Sequence, residues 1–109
     1  MLFRSAPSDV IGDVILEVEP SGKIVHQFKL MDLVDPMRYS YDSLGTFFYA
    51  QVYEKVLKSP AKDWSHTNSV FYDAKTDTVV LSSRHLDFVY KLDMNTGKLK
   101  WIQIGRAHV

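Results

Sequence analysis

The sequence predicts a mainly all-β fold, a partial β-propeller of about one and a half antiparallel blades with a short helical insertion. Three observations support this prediction. Four short strand-like segments follow one another in fewer than forty residues after Pro60, which is the size of one propeller blade. A hairpin pattern lies near the start of the chain, and a segment with helical spacing separates it from the blade.

The first hairpin is predicted from two runs of β-forming residues around a turn. Residues 13–19 (DVILEVE) form a compact β-branched run, residues 20–23 (PSGK) form the turn, and residues 24–30 (IVHQFKL) form the second strand. Residues 31–38 (MDLVDPMR) break the pattern. Because a proline disfavours helix at the residue before it, we expect a bend or a short helical turn there.

A helix is predicted over residues 47–57, where apolar residues recur at helical spacing. Ser43 or Thr46 could cap its N-terminus. We interpret this segment as a packing helix inserted between sheets. The residues at helical spacing are Phe48, Val52 and Val56, with Tyr49 and Tyr53 as further candidates.

The second half of the chain is predicted to form one four-stranded antiparallel meander. Strands are expected over residues 67–72, 78–83, 88–93 and 99–102, with turns at 73–77 and 94–98. Residues 18–24 and 92–99 also resemble each other, each with an apolar strand end, an acid and a Gly-Lys turn. That likeness fits either an internal repeat or two unrelated glycine hairpins. If the repeat is real, the blades cannot close a ring and must expose strand edges.

Composition excludes several classes of function. The 109 residues suffice for about one small domain, and 46% are hydrophobic, unlike a disordered chain. Lysine plus arginine balance aspartate plus glutamate at 13 each, which argues against a nucleic-acid partner. No apolar run is long enough for a membrane span, and residues 1–7 lack the apolar core of a signal peptide. The absence of cysteine rules out disulfides and thiolate metal sites.

The candidate site consists of His66, Asn68 and Arg84. His66 and Asn68 are two apart at a strand start, so they are predicted to share one face. The turn at 73–77 brings Arg84 roughly opposite Thr67, so the three side chains can converge at one end of the hairpin. An imidazole, a carboxamide and a guanidinium suit a small tetrahedral oxyanion, and histidine can also move a proton to a leaving oxygen. The alternative is an ordinary strand histidine beside a surface arginine.

The other histidines are weaker candidates. His26 is predicted to face outward from its strand, and His85 to point away from Arg84 if that strand continues. The histidines lack HxH or HxxxH spacing with carboxylates, so no metal site is predicted. The chain also contains no Gly-rich phosphate loop and no serine nucleophile elbow.

The polar segment around His66 belongs to a longer sequence pattern. That pattern comprises residues 63–70 (DWSHTNSV), 72–73 (YD), 81–85 (LSSRH), 89–92 (VYKL) and 100–102 (KWI), with weaker support from residues 13–38. It resembles the bacterial arylsulfate sulfotransferases. The DW-x-H-x-NS pattern followed by SSRH is fairly specific, whereas Gly-Lys hairpins also occur in quinoprotein-type propellers.

The resemblance implies a six-bladed β-propeller enzyme that transfers a sulfuryl group from an aryl sulfate donor to a phenolic acceptor, without PAPS or another cofactor. The family follows a ping-pong route through a sulfated histidine in the central funnel. By resemblance, His66 and Arg84 are catalytic residues and Asn68 binds substrate. A periplasmic or exported location and a homodimer of the full-length protein are further expectations.

The nucleophilic histidine of the family has no matching motif in this chain, so we expect the chain to be an inactive fragment on its own. Residues 1–102 are interpreted as a partial sulfotransferase domain. Residues 103–109 (QIGRAHV) resemble the translation of a sequencing adapter and are interpreted as a non-native tail. Two alternatives stay open: a non-catalytic propeller repeat used for binding, and a small free-standing β domain with a helix.

Overall fold

The protein is mainly β, as predicted from the sequence. Its structure is a computed structural model that describes residues 9–38 and 47–105, without the side chains of residues 47–50. The elements in these ranges are β1 (Asp9–Ile11), β2 (Val14–Val18), β3 (Ile24–Lys29), α1 (Leu30–Leu33), α2 (Phe47–Leu57), β4 (Ala61–Asp63), β5 (Thr67–Asp73), β6 (Thr78–Ser83), β7 (Phe88–Asp93) and β8 (Leu99–Ile104).

Strands β5 to β8 form one antiparallel sheet in sequence order, which confirms the predicted four-stranded meander. The central strands β6 and β7 carry most of its buried residues. Along β7, Phe88, Tyr90 and Leu92 alternate with more exposed residues, as the two-residue period of a strand requires. The outer strands β5 and β8 are largely exposed. The assignment of this sheet to a propeller blade stays a prediction.

Strands β2 and β3 form the predicted N-terminal hairpin. They pair antiparallel around a turn in which Gly22 adopts a φ of +93°. A bulge lies between Glu17 and Val18. The short helix α1 follows β3 directly, where the sequence predicted a bend or helical turn. The amide of Leu30 donates to the carbonyl of Asp13 at 2.9 Å, so α1 begins against the start of the hairpin.

A two-stranded parallel sheet, β1 with β4, was not predicted. Its register pairs Asp9 with Ala61 and Ile11 with Asp63. The pairing continues beyond the strands, because the amide of Trp64 donates to the carbonyl of Ile11 at 3.0 Å. This short ladder brings the start of the hairpin beside the segment that enters β5.

The hydrophobic core lies where the hairpin and α1 pack against the four-stranded sheet. Trp64 is buried in this core, and its indole Nε1–H donates to the carbonyl of Arg38 at 2.5 Å. Through this bond the core connects the segment after β4 to the segment after α1. Its members are Ile15, Leu30, Val34, Trp64, Val79, Leu81, Leu86, Phe88, Tyr90, Leu92 and Met94.

Helix α2 has the predicted bounds but not the predicted packing. Val52 and Val56 were expected to face a neighbouring sheet, yet they are 52% and 76% exposed. The helix lies against the short strand β4, where the carboxylate of Glu54 accepts from the amide of Ala61 at 3.3 Å. A three-residue strand covers too little of the helix to bury the whole predicted stripe. The proposed caps, Ser43 and Thr46, and the side chains of Phe48 and Tyr49 lie outside the described residues.

In the described part of the chain, neither helix is long and apolar enough to cross a membrane. Strand β8 runs to Ile104, two residues past its predicted end at Ile102. The amide of Gly105 then donates to the carbonyl of Asp87 at 2.5 Å. The predicted boundary between residues 1–102 and a tail at 103–109 stays a prediction, and residues 106–109 lie outside the described part.

Gly97 is expected to be less tolerant of a side chain than Gly22. Both have positive φ, +71° and +93°, so alanine at either site should cost about 1–2 kcal/mol of unfolding free energy. A Cβ at Gly97 would also lie 2.7 Å from the Phe28 ring, whereas nothing lies within 4 Å of one at Gly22. We therefore expect Gly97→Ala to cost about 1 kcal/mol more than Gly22→Ala in denaturant unfolding. Equal losses would contradict the contact between Phe28 and the β7–β8 turn.

Candidate functional site

The candidate site lies at the end of the β5–β6 hairpin, where two loops are joined by backbone hydrogen bonds. The amide of Arg84 donates to the carbonyl of His66 at 3.0 Å, and the amide of His85 donates to the carbonyl of Ser65 at 3.1 Å. Thr67 pairs with Ser83, one residue from the register expected from the sequence. The backbones of His66 and Arg84 are therefore adjacent, as the sequence predicted.

His66 lies just before β5 and adopts a left-handed backbone conformation with a φ of +46°. Its Nδ1 lies 2.7 Å from the carboxylate of Asp63. Its ring stacks on that of His85, with centroids 4.7 Å apart and planes 25° from parallel. The His66 side chain is 22% exposed, whereas that of Asp63 is 2% exposed. The imidazole thus links a buried carboxylate to the protein surface.

His85 is completely buried beneath His66. Its Nδ1–H donates to the carbonyl of Asp63 at 2.8 Å. Burial lowers the pKa of His85 from its ordinary value, because the interior disfavours the charged imidazole. His66 and Arg84 lower this pKa further, while the Asp63 carbonyl and carboxylate oppose the shift. We conclude that His85 is a neutral ring that supports His66.

The expectation that His85 points away from Arg84 depended on a continuing strand. Strand β6 ends at Ser83, and residues 84–87 form the turn into β7. Strand alternation therefore does not apply to Arg84 and His85. The turn places His85 in the interior and leaves Arg84 exposed.

The carboxylate of Asp13 holds the chain on both sides of His66. Its Oδ2 accepts a hydrogen bond from the Ser65 hydroxyl at 2.6 Å and another from the Thr67 amide at 2.6 Å. Thr67, which also donates its amide to Asp13, has its hydroxyl 3.1 Å from the hydroxyl of Tyr90. Burial raises the pKa of Tyr90 to about 12, so this phenol stays neutral and hydrogen-bonded.

Asn68 occupies a bulge and not a regular strand position. Thr67 pairs with Ser83 and Ser69 with Ser82, which leaves Asn68 as the extra residue. Its side-chain oxygen accepts from the Ser82 hydroxyl at 3.0 Å. The predicted shared face of His66 and Asn68 does not follow, because His66 lies outside the strand and the bulge interrupts the alternation.

Asn68 and Arg84 line two different depressions in the described surface. Asn68 lines a groove of about 420 Å³ between β2 and β5, together with apolar residues such as Leu16 and Val70. Arg84 lines a cleft of about 370 Å³ with Asp87 and Gln103. The structure thus joins His66 to Arg84 through the backbone, while Asn68 faces the neighbouring groove.

Asp63, His66 and His85 are the described residues that could hold a metal ion, with one ligand atom each within 4.8 Å of one another. Their observed contacts are hydrogen bonds and ring stacking. Ring-nitrogen lone pairs lie in the ring plane, so two stacked imidazoles do not direct theirs at one shared point. Hydrogen bonding accounts for this arrangement, and the predicted absence of a metal site stays a prediction.

Three residues that build this site were not singled out from the sequence. Asp63 had a usable signal, since it is an acid three residues before His66 in the same polar segment. Asp13 had no usable sequence signal, because it lies 54 residues from Thr67, whose amide it accepts a hydrogen bond from. His85 was misjudged because the end of β6 was not anticipated.

The lowered pKa of His85 is expected to make folding sensitive to acid. In the unfolded chain the imidazole titrates near 6.5, and in the folded chain it titrates lower. This contribution to stability is therefore fully present above the unfolded pKa and is lost as the pH falls towards the folded pKa. His85→Asn removes the titration but keeps a donor for the Asp63 carbonyl. Unfolding free energies measured from about pH 7.5 to about pH 5 should fall more steeply for the parent chain, and equal slopes would contradict the assignment.

The family model and the similar proteins that match this chain name the same family. The family model for arylsulfotransferase (ASST) matches residues 4–107. The chain is 33% identical over 113 positions to the arylsulfate sulfotransferase AssT of Escherichia coli O6:H1, strain CFT073. It is 32% identical over 113 positions to the AssT of Lelliottia amnigena. Each match covers 84% of this chain and 18% of the relative. No solved structure gives a significant match. With nearly its whole length matched, the chain belongs to the arylsulfotransferase family.

Proposed function

We propose that this chain supplies part of the sulfuryl-binding site of an arylsulfate sulfotransferase, which moves a sulfuryl group from an aryl sulfate to a phenolic acceptor. One observation carries the proposal: a backbone hydrogen bond fixes Arg84 next to His66 at one end of the β5–β6 hairpin. In a chain of this family, that backbone pairing supports a site in which one anionic group meets both the guanidinium and the imidazole.

Arg84 is assigned to the sulfuryl oxygens. Its side chain is exposed at the start of the β6–β7 turn, so substrate can reach it. A guanidinium presents a planar fork of donors that matches two oxygens of a tetrahedral anion. Charge gathers on these oxygens during transfer, and donors fixed in advance stabilise the transition state more than the bound substrate.

His66 is assigned to proton exchange with the phenolic oxygen, and Asn68 to substrate binding. An imidazole can donate a proton to a departing phenolate and take one from an incoming phenol. The carboxamide of Asn68 is oriented by Ser82 and lines a groove with apolar walls. That groove is also lined by Thr67, the residue after His66, which fits a residue that contacts substrate outside the sulfuryl group itself.

We further propose that turnover requires a longer polypeptide, a six-bladed propeller that supplies the nucleophilic histidine. This chain spans 18% of the length of its curated relatives. In addition, several large apolar side chains on the outer strands are exposed, as expected for strands that neighbouring blades cover. They are Val70, Phe71 and Tyr72 on β5 and Trp101, Ile102 and Ile104 on β8. The family resemblance also supports an exported or periplasmic location and a homodimer of the full-length protein.

Reading the source DNA on both sides of this segment tests the longer polypeptide. We expect the frame to continue past the codon of Ile102 into further strand-rich sequence that contains another histidine, because the relatives are several times longer. An in-frame stop directly after Val109 in genomic DNA would contradict this expectation.

The second candidate is a non-catalytic propeller repeat that binds a ligand. The observation that favours it is the separation of Asn68 and Arg84 into two different depressions. Measurement of sulfuryl transfer by the full-length protein separates the two, since a binding repeat transfers nothing from an aryl sulfate.

Arg84→Ala in the full-length protein is expected to lower sulfuryl transfer by about two orders of magnitude or more, as the loss of one preorganised donor does. Arg84→Lys should recover only part of the rate, because lysine offers a point charge without the planar fork. The readout is the kcat/KM for an aryl sulfate donor.

Lys75→Ala is the matched control for Arg84→Ala. It also removes one exposed positive charge, but at the opposite end of the β5–β6 hairpin. There Lys75 bonds to Asp73 through its backbone amide, which alanine keeps. Its rate should equal that of the parent. Equal rates for Arg84→Ala and the parent would remove Arg84 from the assigned site.

A further inference from the structure

The Asp63–His66 pair differs from an ordinary surface contact in its burial. The carboxylate is 2% exposed and the imidazole 22% exposed, with 2.7 Å between Oδ2 and Nδ1. A neutral imidazole has one N–H, and an ionised carboxylate can only accept. The contact therefore assigns the proton of the neutral ring to Nδ1, and the lone pair to Nε2.

Three further contacts hold this pair in place. Asp63 ends strand β4, where it pairs with Ile11 of β1. The ring of His85 stacks on the ring of His66. Asp13 binds the residues before and after His66, which supports its left-handed conformation. A strained backbone held by several neighbours is typical of a residue whose orientation matters.

We propose that Asp63 is the positioning residue for His66, fixing the proton on Nδ1 so that Nε2 exchanges protons with the phenolic oxygen of the substrate. This inference rests on the proposed sulfuryl transfer and adds to it a residue outside the predicted site. Asp63 does not touch the substrate and acts only through the ring of His66.

The proton balance of the reaction shows what Asp63 would do. When the bond between sulfur and the aryl oxygen breaks, the sulfuryl group passes to the nucleophilic histidine of the longer protein, and the departing phenolate takes the proton from Nε2 of His66. In the second half, the acceptor phenol returns a proton to Nε2 as its oxygen bonds to sulfur and the bond from sulfur to the nucleophile breaks. His66 is therefore cationic before the first half, neutral between the two halves with its remaining proton on Nδ1, and cationic again after the second half. A charge-assisted hydrogen bond to Asp63 stabilises the cationic state.

The groups around the ring agree with this role. His85 faces His66 as a neutral imidazole, because burial lowers the pKa of His85, so it adds no repelling charge. Arg84 meets His66 through its backbone amide. Asp63 is thus the carboxylate in direct contact with the His66 ring among the described residues.

The test compares Asp63→Asn with the parent in the full-length protein, using donors with different leaving groups. For phenyl sulfate, whose phenolate needs a proton to leave, kcat/KM should fall by about 100-fold or more. For 4-nitrophenyl sulfate, whose phenolate leaves readily, the fall should be much smaller. An equal loss with both donors would mean that Asp63 has a structural role only, and would overturn the proposal.

Two variants calibrate this comparison. Asp77→Asn, the same change in the far turn of the hairpin, should keep the parent rates, since asparagine tolerates its φ of +51° and can still accept from Tyr72. Asp63→Glu should restore part of the rate with phenyl sulfate, because it returns a carboxylate near Nδ1.

A nitrogen-15 NMR spectrum of the histidines supplies a readout independent of turnover. The parent should carry the His66 proton on Nδ1, and Asp63→Asn should lose this preference. If Asp63→Asn does not fold, the spectrum of the parent decides alone, and a proton on Nε2 overturns the proposal. A parent protein that transfers no sulfuryl group would instead refute the proposed function, whatever the spectrum shows.

Discussion

The carboxylate of Asp13 is the contact on which the candidate site depends. It lies at the start of the N-terminal hairpin and accepts hydrogen bonds from the residues on both sides of His66. The parallel pairing of β1 with β4, extended by the hydrogen bond from the Trp64 amide to the Ile11 carbonyl, brings Asp13 close to the residues around His66. The hairpin therefore acts as a support for a loop that belongs to the four-stranded sheet.

Beneath that loop, the protein buries polar groups that must satisfy one another. Asp63, Ser65, Ser83 and His85 are all buried, and each makes hydrogen bonds to this small cluster. Such groups cost free energy when they lose a partner, so the cluster tolerates few arrangements. This constraint explains how a partly exposed imidazole keeps a fixed position without a regular strand around it.

The sequence was sufficient for the elements whose patterns are local. Runs of strand-forming residues predicted β6 and β7, helical spacing predicted α2, and a glycine turn predicted the first hairpin. It was insufficient where distant segments decide the outcome. The β1–β4 pair joins three-residue strands across about fifty residues, and such short strands carry no usable period. The bulge at Asn68 and the end of β6 before Arg84 likewise depend on cross-strand pairing, so strand alternation misplaced Asn68 and His85. The exposure of Val52 and Val56 depends on how little of α2 the strand β4 covers.

The large sequence separation between Asp13 and its partner Thr67 affects the order in which the protein folds during synthesis. The bond from the Thr67 amide to Asp13 closes a loop of 54 residues, and closing such a loop costs conformational entropy that local turns do not. A nascent chain can form its first hairpin early, but the histidine loop is completed only after the segment beyond residue 67 has been synthesised and has docked. Partly made chains would then carry His66 without the Asp13 contacts that order the residues on both sides of it.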